Sequence, residues 1–342
     1  MIKKERQSNF ELLRIIALFF VLIFHSNFHT LGYPTPEAVV GMPLQCFSEF
    51  VVQGLTVICV NVFVLLSGWF GIRPTLKGAC NIIYIVLFFL LGSYILALLF
   101  NRAEFSIPAL AECLMLDRGR WFVKAYLGLY ILAPILNKFA ETAERKQFKE
   151  VLIAFFCFQT IFGWMVNAAY FFEYGFSTMS FIGLYMLARY VRRFQPKWSE
   201  MSKWADIGVY FGIILFGALL LIGLAYIPQV QRFYHTSVGH VYAYSSPLVI
   251  IESLFLLLFF SKLRFQSKII NFIAASSFSV LFIHGNPYIL PYQDRVLDYY
   301  ANNPYIVALI KVVLLAFLAL NIALVLDQIR KLTWKWVSKI FF

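Results

Sequence analysis

The apolar run NFELLRIIALFFVLIFHSNFH (9–29) contains four ionisable side chains: Glu11, Arg14, His25 and His29. On a helix, the step from Arg14 to His25 is a rotation of about 1100°, close to three full turns, which places both side chains on one face. The helical rise separates them by roughly 16 Å along the axis, too far for a hydrogen bond. One face therefore offers a cation at one end and a proton-accepting imidazole at the other.

Each of these side chains also has a purely structural interpretation. Arg14 can extend to the lipid headgroups and pair with Glu11, three residues before it, and His25 can be a hydrogen-bonded interior histidine. His29, one turn further along, is typical of an interface residue. In the chemical interpretation, Arg14 holds an anion and a neutral His25 takes a proton from a hydroxyl group.

Two more ionisable residues are predicted near the depth of His25. His284 closes the segment INFIAASSFSVLFIH (270–284), and Glu252 lies about two helical turns from the predicted outer surface. Ionisable groups inside a bilayer are costly, so they are usually partnered or functional. The sequence therefore predicts a shared polar site with His25 and His284. For Glu252, a catalytic role and a hydrogen-bonded clasp between helices are equally compatible with the sequence.

The composition requires lipid as the solvent for much of the chain. Of the 342 residues, 61% are hydrophobic and 13% are charged, whereas soluble domains have roughly 45–50% apolar and about 25% charged residues. A water-soluble globule is therefore excluded. The net charge of +12 lies in short clusters between apolar runs, which does not favour a nucleic-acid-binding surface.

Apolar runs of sufficient length predict ten membrane-spanning helices. Their approximate bounds are 9–29, 50–71, 79–100, 121–137, 150–166, 176–193, 204–227, 245–262, 270–290 and 304–326. With the N-terminus placed inside, the inner segments hold 21 of the 29 lysines and arginines, the outer loops hold 5 and the spans 3. This bias follows the positive-inside rule. The prediction is a polytopic all-α membrane protein with both termini cytoplasmic.

The sequence predicts one membrane-embedded domain over residues 1–342. The first span resembles a secretory signal, but Arg14 interrupts it and no small-residue cleavage site follows, so we expect it to be retained. The five cysteines have no paired or metal-ligand spacing and are predicted to be small core hydrophobes: Cys46, Cys59, Cys80, Cys113 and Cys157.

Two weaker signals occur in the second and fourth spans. Ser67, Gly68 and Gly71 in NVFVLLSGWFG are typical of close helix contact. Arg120 and Trp121, at the start of the fourth span, are typical of an interfacial anchor. They can also hold an anionic substrate at the outer side.

Several segments, in order along nearly the whole chain, resemble the acyltransferase-3 family of bacterial integral-membrane O-acyltransferases. They are ELLRIIALFFVLIFHSNFH, NVFVLLSGWFG, RWFVKAYLGLYILAPILN, FIGLYMLARYVRR and SSFSVLFIH. In this family the first helix carries an arginine, ten residues and a histidine, matched by Arg14 and His25, and a subset has a second histidine, matched by His29. Leu281 replaces a usual tyrosine, and only Arg73 and Lys77 represent a usual arginine pair.

The resemblance implies a membrane O-acetyltransferase of the bacterial cytoplasmic membrane that requires no metal. It would transfer an acyl group, most often acetyl, from cytoplasmic acetyl-CoA to a hydroxyl of a surface polysaccharide or its lipid-linked precursor. We expect catalysis by His25, His284 and Glu252, with His25 either a general base or a transiently acetylated nucleophile. The expected donor-binding residues are Arg14, Arg73 and Lys77. The expected acceptor-binding residues are His29, Arg120 and Trp121.

A transporter or flippase of a glycan or small anion is the alternative. It would also need many helices and polar residues near the membrane midplane. Binding of CoA discriminates between the two, because only the transferase uses this donor.

Overall fold

The computed structural model describes residues 6–117, 119–166 and 169–342. Within these ranges every regular element is helical and there is no β-strand. Lys3, Lys4 and Arg118, three of the cations counted in the charge bias, lie outside them. The α-helices are α1 Ser8–His25, α2 Phe28–Leu31, α3 Pro36–Gly41, α4 Pro43–Val57, α5 Cys59–Phe70, α6 Leu76–Leu99, α7 Ile107–Cys113, α8 Trp121–Thr142, α9 Arg145–Phe158, α10 Thr178–Phe194, α11 Lys203–Ala225, α12 Pro228–Gln231, α13 Tyr234–Val241, α14 Pro247–Ser261, α15 Lys268–Ala274, α16 Tyr292–Asn302 and α17 Tyr305–Phe341. A π-helix spans Gln159–Met165, and 3₁₀-helices span Tyr170–Gly175, Lys197–Glu200 and Ser277–Phe282.

Seven helical stretches of the described chain are long and apolar enough to cross a bilayer. They are Ser8–Leu31, Pro43–Phe70, Leu76–Leu99, Trp121–Thr142, Arg145–Met165, Lys203–Ala225 and Tyr305–Phe341. Pro247–Ser261 and Lys268–Phe282 are apolar but shorter, and α10 has 17 residues. The prediction of an all-α multi-pass membrane protein is confirmed, while the count of ten spans and the cytoplasmic termini stay predictions.

Large apolar side chains are exposed on the outside of the bundle, as lipid contact requires. Examples are Leu96 on α6, Ile131 on α8, Leu219 on α11 and Leu314 on α17. In water such an exterior would be a liability, but against acyl chains it is the stable arrangement. The interior holds Cys46, Cys59 and Cys113 as buried free thiols, as predicted, whereas Cys157 is exposed.

Helix α1 is central to the bundle and packs against α4, α5, α14, α15 and α17. Its interior position means that the ionisable side chains along it face neighbouring helices as well as lipid. The residue spacing that placed Arg14 and His25 on one helix is confirmed, since α1 runs without interruption from Ser8 to His25.

The contact between α5 and α10 depends on glycine. A Cβ at Gly68 would lie 2.3 Å from the Tyr185 backbone oxygen, so only glycine allows these helices to approach so closely. Gly71 has a left-handed φ of +76°, and a Cβ there would lie 2.8 Å from Arg189 Nη1. The prediction of close helix contact at this motif is confirmed.

Three helical paths are interrupted in the half of the bundle that is predicted to face outward. The first is interrupted at Ser26 and Asn27 between α1 and α2, and the second at Ile58 between α4 and α5. The third changes from α15 to a 3₁₀-helix over Ser277–Phe282. Non-helical backbone at membrane depth is tolerated where it is buried in protein or lines a cavity. The sequence analysis did not predict these interruptions.

Candidate active site

A cavity of about 740 Å³ lies where the interrupted helices meet. It is lined by His25, His29 and His284, together with side chains from α4, α5, the start of α8 and the segment before α14. Four of these further lining residues are Gln53, Arg120, Trp121 and Tyr244. The predicted shared site of His25 and His284 is therefore one cavity.

The three histidines form a compact cluster. The ring centroids of His25 and His284 are 4.9 Å apart, and those of His25 and His29 are 5.0 Å apart. His284 is buried, whereas His29 is exposed, at the open side of the cavity. A small group such as a hydroxyl can contact the imidazoles of His25 and His284 together.

Backbone hydrogen bonds fix the tautomers of the two inner histidines. His25 Nδ1 lies 2.7 Å from the Val21 carbonyl oxygen, and His284 Nδ1 lies 3.1 Å from that of Val280. A carbonyl oxygen only accepts, so each Nδ1 must carry the hydrogen. The neutral rings therefore present both Nε2 atoms as proton acceptors, which is the state a general base needs.

The helix end that carries His25 is held by hydrogen bonds. The Thr30 hydroxyl donates to the His25 carbonyl oxygen at 2.5 Å, and the Ser26 hydroxyl donates to the Leu22 carbonyl oxygen at 2.8 Å. The Ser26 hydroxyl oxygen is also 2.9 Å from the hydroxyl oxygen of Tyr292, which lies on α16. The Thr30 contact satisfies one of the carbonyl groups left free where α1 ends, and the contacts of Ser26 tie this helix end to α16.

The segment that carries His284 is fixed at both ends. At its start, Ser276 Oγ accepts hydrogen bonds from Gln328 Nε2 at 2.9 Å and Lys331 Nζ at 2.5 Å, both on α17. Beyond the histidine, Asn286 Nδ2 donates to the Phe89 carbonyl oxygen of α6 at 3.1 Å. The imidazole is thus positioned by two flanking helices, since its own segment is not a regular α-helix.

Arg120 lies beside His284 in the cavity wall. Its Nη2 donates to the Glu112 carboxylate at 2.9 Å and to the Gly285 carbonyl oxygen at 3.3 Å. Its φ of 53° is in the left-handed region, a backbone state that costs non-glycine residues energy and is common at functional sites. Its Nε is buried and has no hydrogen-bond partner among the described residues. The cation is therefore held close to where charge can develop.

An aromatic wall stands opposite the histidines, and the sequence analysis identified only one of its members. The Trp121 ring lies 4.6 Å from Phe176 and 5.8 Å from Tyr244, measured between centroids. Phe176 and Tyr244 belong to the loops before α10 and α14, far from Trp121 in sequence. Nothing local in the sequence marks them, because their role depends on tertiary proximity.

Glu252 is not among the residues that line the cavity. It is buried on α14, and its Oε1 has no hydrogen-bond partner within the part of the chain that the structure describes. The predicted depth gave no information on which way the helix turns this side chain. A catalytic role for Glu252 stays a prediction without a contact to support it.

The three residues predicted to bind the donor are not brought together. Arg14 Nη1 pairs with Glu11 Oε2 at 2.5 Å, as its structural interpretation expected. Lys77 Nζ lies 5.9 Å from the centroid of the Phe342 ring at the end of α17. Arg73 lines a cavity on the predicted cytoplasmic side.

This second cavity, here called the basic cavity, has a volume of about 440 Å³. It is lined by Phe70, Arg73, Ala140, Glu141, Arg189, Arg192 and Arg193. Three of its arginines come from the last turns of α10, and the sequence analysis counted them among the inner cations, which indicate orientation first and would also suit an anionic cytoplasmic ligand. Their i, i+3 and i+4 spacing puts them on one helical face.

The basic cavity keeps an excess of positive charge. Arg189 lies 3.4 Å from Glu141, and Arg193 Nη1 donates to the Ala140 and Ala143 carbonyl oxygens at 2.6 and 2.9 Å. Arg192 donates to the Trp69 carbonyl oxygen. With four arginines and one carboxylate, the lining is suited to an anion with several charges.

The family model described as an acyltransferase domain, acyltransferase-3, matches residues 7–327, nearly the whole chain. No curated protein matches the chain. No solved structure matches it either.

Proposed function

The chain belongs to the acyltransferase-3 family, and we propose that it moves an acetyl group from cytoplasmic acetyl-CoA to a hydroxyl of a surface polysaccharide or its lipid-linked precursor. The bacterial cytoplasmic membrane is the proposed location. The observation that carries the proposal is the cavity in which His25 and His284 present unprotonated Nε2 atoms, with ring centroids 4.9 Å apart.

His25 acts as the general base in this proposal. Its Nε2 takes the proton of the acceptor hydroxyl as the oxygen attacks the thioester carbonyl carbon. The tetrahedral intermediate then collapses, the carbon–sulfur bond breaks, and the proton passes from His25 to the departing thiolate of CoA. His284, whose Nε2 is also an acceptor, stabilises the protonated His25 by sharing its proton.

Arg120 supplies the positive charge for the oxyanion. Its guanidinium lies against Gly285, the residue after His284, so it is next to the carbonyl oxygen of a thioester placed between the histidines. A cation held in position before the reaction stabilises developing negative charge without reorganisation. His29 and Trp121 also line this cavity and would contact the acceptor.

The phosphates of the donor would bind at the predicted cytoplasmic side. CoA carries a pyrophosphate and a ribose phosphate, and Arg73, Arg189 and Arg192 line one cavity there. Guanidinium groups bind phosphate by paired hydrogen bonds. Arg14 and Lys77, outside this cavity, would contribute longer-range attraction.

The alternative, a transporter or flippase, is favoured by one observation, the interrupted helices beside a central cavity. Titration calorimetry of the purified protein with CoA and with dephospho-CoA discriminates between the two. We expect CoA to bind, and dephospho-CoA to bind more weakly because it has lost a phosphate.

Acetyl transfer itself is tested in cells that lack the gene. We expect base-labile acetate to disappear from a surface glycan, as measured by mass spectrometry, and to return with the wild-type gene but not with a His25→Ala copy. Absence of CoA binding at millimolar concentration, with acetate unchanged in the deletion strain, would contradict the proposal in favour of transport.

A further inference from the structure

A smaller cavity opens from the histidine cavity towards the predicted outer surface. This outer chamber has a volume of about 340 Å³ and is walled by the segment after α2, by α13 and by the loops before α10 and α14. The two cavities adjoin, because they share the lining residues Phe24, Tyr33, Gln53, Phe176, His235 and Tyr244. A ligand bound in the chamber can therefore extend one group to His25.

His240 gives the outer chamber a fixed hydrogen-bond acceptor. Its Nδ1 lies 2.8 Å from the Thr236 carbonyl oxygen and must carry the hydrogen. Nε2 is then left as an acceptor. The backbone at this position is also tied down, since Trp164 Nε1 donates to the His240 carbonyl oxygen at 2.7 Å.

Gln53 gives the chamber a donor. Its Oε1 accepts a hydrogen bond from Asn27 Nδ2 at 3.1 Å, so the amide orientation is set and Nε2 points elsewhere. Among the described residues none accepts a hydrogen bond from this Nε2. The side chain is nearly fully buried, with 3% of its residue surface exposed. This Nε2 is not among the fully buried polar atoms of the described residues that lack a partner, so it keeps some surface open to the cavities that Gln53 lines and can donate to a ligand or water there.

Aromatic rings form the remaining walls. The Tyr33 and His235 rings are 4.7 Å apart, and the Phe176 and Tyr244 rings are 5.0 Å apart, between centroids. Such rings pack against the C–H faces of a sugar and leave its hydroxyl groups free for hydrogen bonds. The hydrogen-bond acceptor of His240, the hydrogen-bond donor of Gln53 and the aromatic rings together match a ligand that has both apolar faces and hydroxyl groups.

A strained loop carries Tyr174, another residue that lines the outer chamber. Glu173, Tyr174 and Gly175 are consecutive left-handed residues with φ of 45°, 53° and 102°. The Tyr174 carbonyl oxygen accepts from Ser245 N at 3.1 Å, and the Tyr174 ring lies 5.7 Å from His240. Strain of this kind persists where the surrounding structure imposes it, and it is concentrated at ligand sites.

The lining of the outer chamber has no permanently charged side chain among the residues that the structure describes. Within the described ranges it contains no lysine, arginine, aspartate or glutamate. Burial raises the pKa of the Tyr33 phenol above its ordinary value, so this group stays neutral at physiological pH. The absence of a compensating charge disfavours a carboxylate or phosphate in the ligand.

We propose that the outer chamber binds a neutral sugar ring of the acceptor, packed on Tyr33 and His235 and hydrogen-bonded to Gln53 and His240, with one hydroxyl directed at His25. This inference rests on the acyl transfer proposed above and specifies the charge and ring chemistry of its acceptor. The chamber is open at Phe176 and His235, which are exposed. A longer glycan can therefore continue outward from the bound ring.

Purified protein supplied with acetyl-CoA and one of three probes tests the proposal. The probes are methyl β-glucoside, methyl N-acetyl-β-glucosaminide and methyl β-glucuronide, and acetylated product is measured by mass spectrometry. We expect both neutral glycosides to be acetylated in preference to the glucuronide. In Tyr33→Leu and in His240→Leu, KM for the neutral probe should rise about tenfold, as the loss of a packing surface or a hydrogen bond predicts. The affinity for CoA, measured by calorimetry, should be unchanged.

Phe233→Leu is the matched control. Phe233 precedes α13, is exposed and does not line the chamber. The Phe233→Leu variant should therefore have the same KM for the neutral probe as wild type. Preference for the glucuronide, or wild-type KM in both chamber variants, would overturn the inference. Wild-type protein that binds CoA but acetylates neither neutral glycoside also overturns it. Wild-type protein that binds no CoA contradicts the acyl transfer itself, which separates the two failures.

Discussion

The histidine cavity and the basic cavity occupy opposite halves of the bundle and have opposite chemistry. The first holds imidazoles, aromatic rings and one arginine, which forms an ion pair with the half-exposed Glu112. The second holds four arginines and one glutamate. The proposed reaction, which joins a polyanionic donor to a hydroxyl acceptor across a membrane, is consistent with this division, because each substrate requires a different environment.

The two cavities also differ in how the chain builds them. The histidine cavity lies where helices are interrupted, and its side chains are fixed by hydrogen bonds to the backbone. The basic cavity lies at the ends of continuous helices, where Gly68 and Gly71 allow α5 and α10 to approach. Substitutions in the first should therefore change turnover, and those in the second should change donor affinity.

The largest effect is expected at His25. His25→Ala removes the proposed general base and should lower the rate of acetyl transfer by about 10²–10⁴-fold. Affinity for CoA should stay near that of wild type, because the basic cavity is untouched. Transfer is measured as acetylated product per amount of purified protein. Near-normal turnover would remove His25 from the mechanism and transfer the role of base to His29 or His284.

Arg120 is the next test of the histidine cavity. Arg120→Ala should lower the rate by about 10²–10³-fold, which is typical of a lost oxyanion donor. Added guanidinium ion should restore part of the rate, because the space left beside Gly285 can admit it. Glu112→Gln, which keeps Arg120 but removes its carboxylate partner, is the control and should retain most activity. An Arg120→Ala protein with full turnover and raised acceptor KM would instead make this residue an acceptor contact.

Much of the fold and part of the site could be predicted from local sequence. The helix that carries Arg14 and His25 follows from the length of its apolar run, and their spacing of about three turns places both on one face. The common depth of His25 and His284 follows from counting residues along two spans. Trp121 was singled out on an interfacial argument, and the structure places it in the cavity wall.

The remainder depends on contacts between distant segments. The hydropathy pattern gives the depth of Glu252 but not the rotation of α14, which its neighbours set. The arginines of α10 look like topology signals until Gly71 brings α5 beside Arg189. The helix interruptions depend on hydrogen bonds such as those of Ser26 and Asn286, whose partners lie more than 190 residues away.

The basic cavity is tested through Arg189. Arg189→Ala should weaken CoA binding by about tenfold, because a charge-assisted hydrogen bond to phosphate is lost. The difference from wild type should shrink in high salt, where partly exposed charges are screened. Calorimetric titration at low and high salt measures both quantities.

Lys339→Ala provides the charge-matched control for Arg189. Lys339 is near the end of α17, over the Trp336 ring at 5.6 Å, and does not line the basic cavity. This variant should bind CoA as tightly as wild type. Equal weakening in both variants would mean that net charge, and not the cavity, attracts the donor.

The smallest effect is expected at Arg14, which lies between the two regions. Its guanidinium is paired with Glu11 at 2.5 Å and is about one-third exposed, so most of its attraction for an anion is already compensated. Arg14→Ala should therefore weaken CoA binding only about three- to fivefold, consistent with a partly exposed ion pair.

Arg14→Lys should recover part of this loss, since charge survives but the paired geometry of guanidinium does not. Glu11→Gln should change CoA affinity in the opposite direction and tighten CoA binding, because it removes the carboxylate that compensates the Arg14 charge. If Arg14→Ala weakens binding more than Arg189→Ala, the donor lies along α1 and the basic cavity is not its main site. If Arg14→Ala has no effect, the arginine serves only as the partner of Glu11.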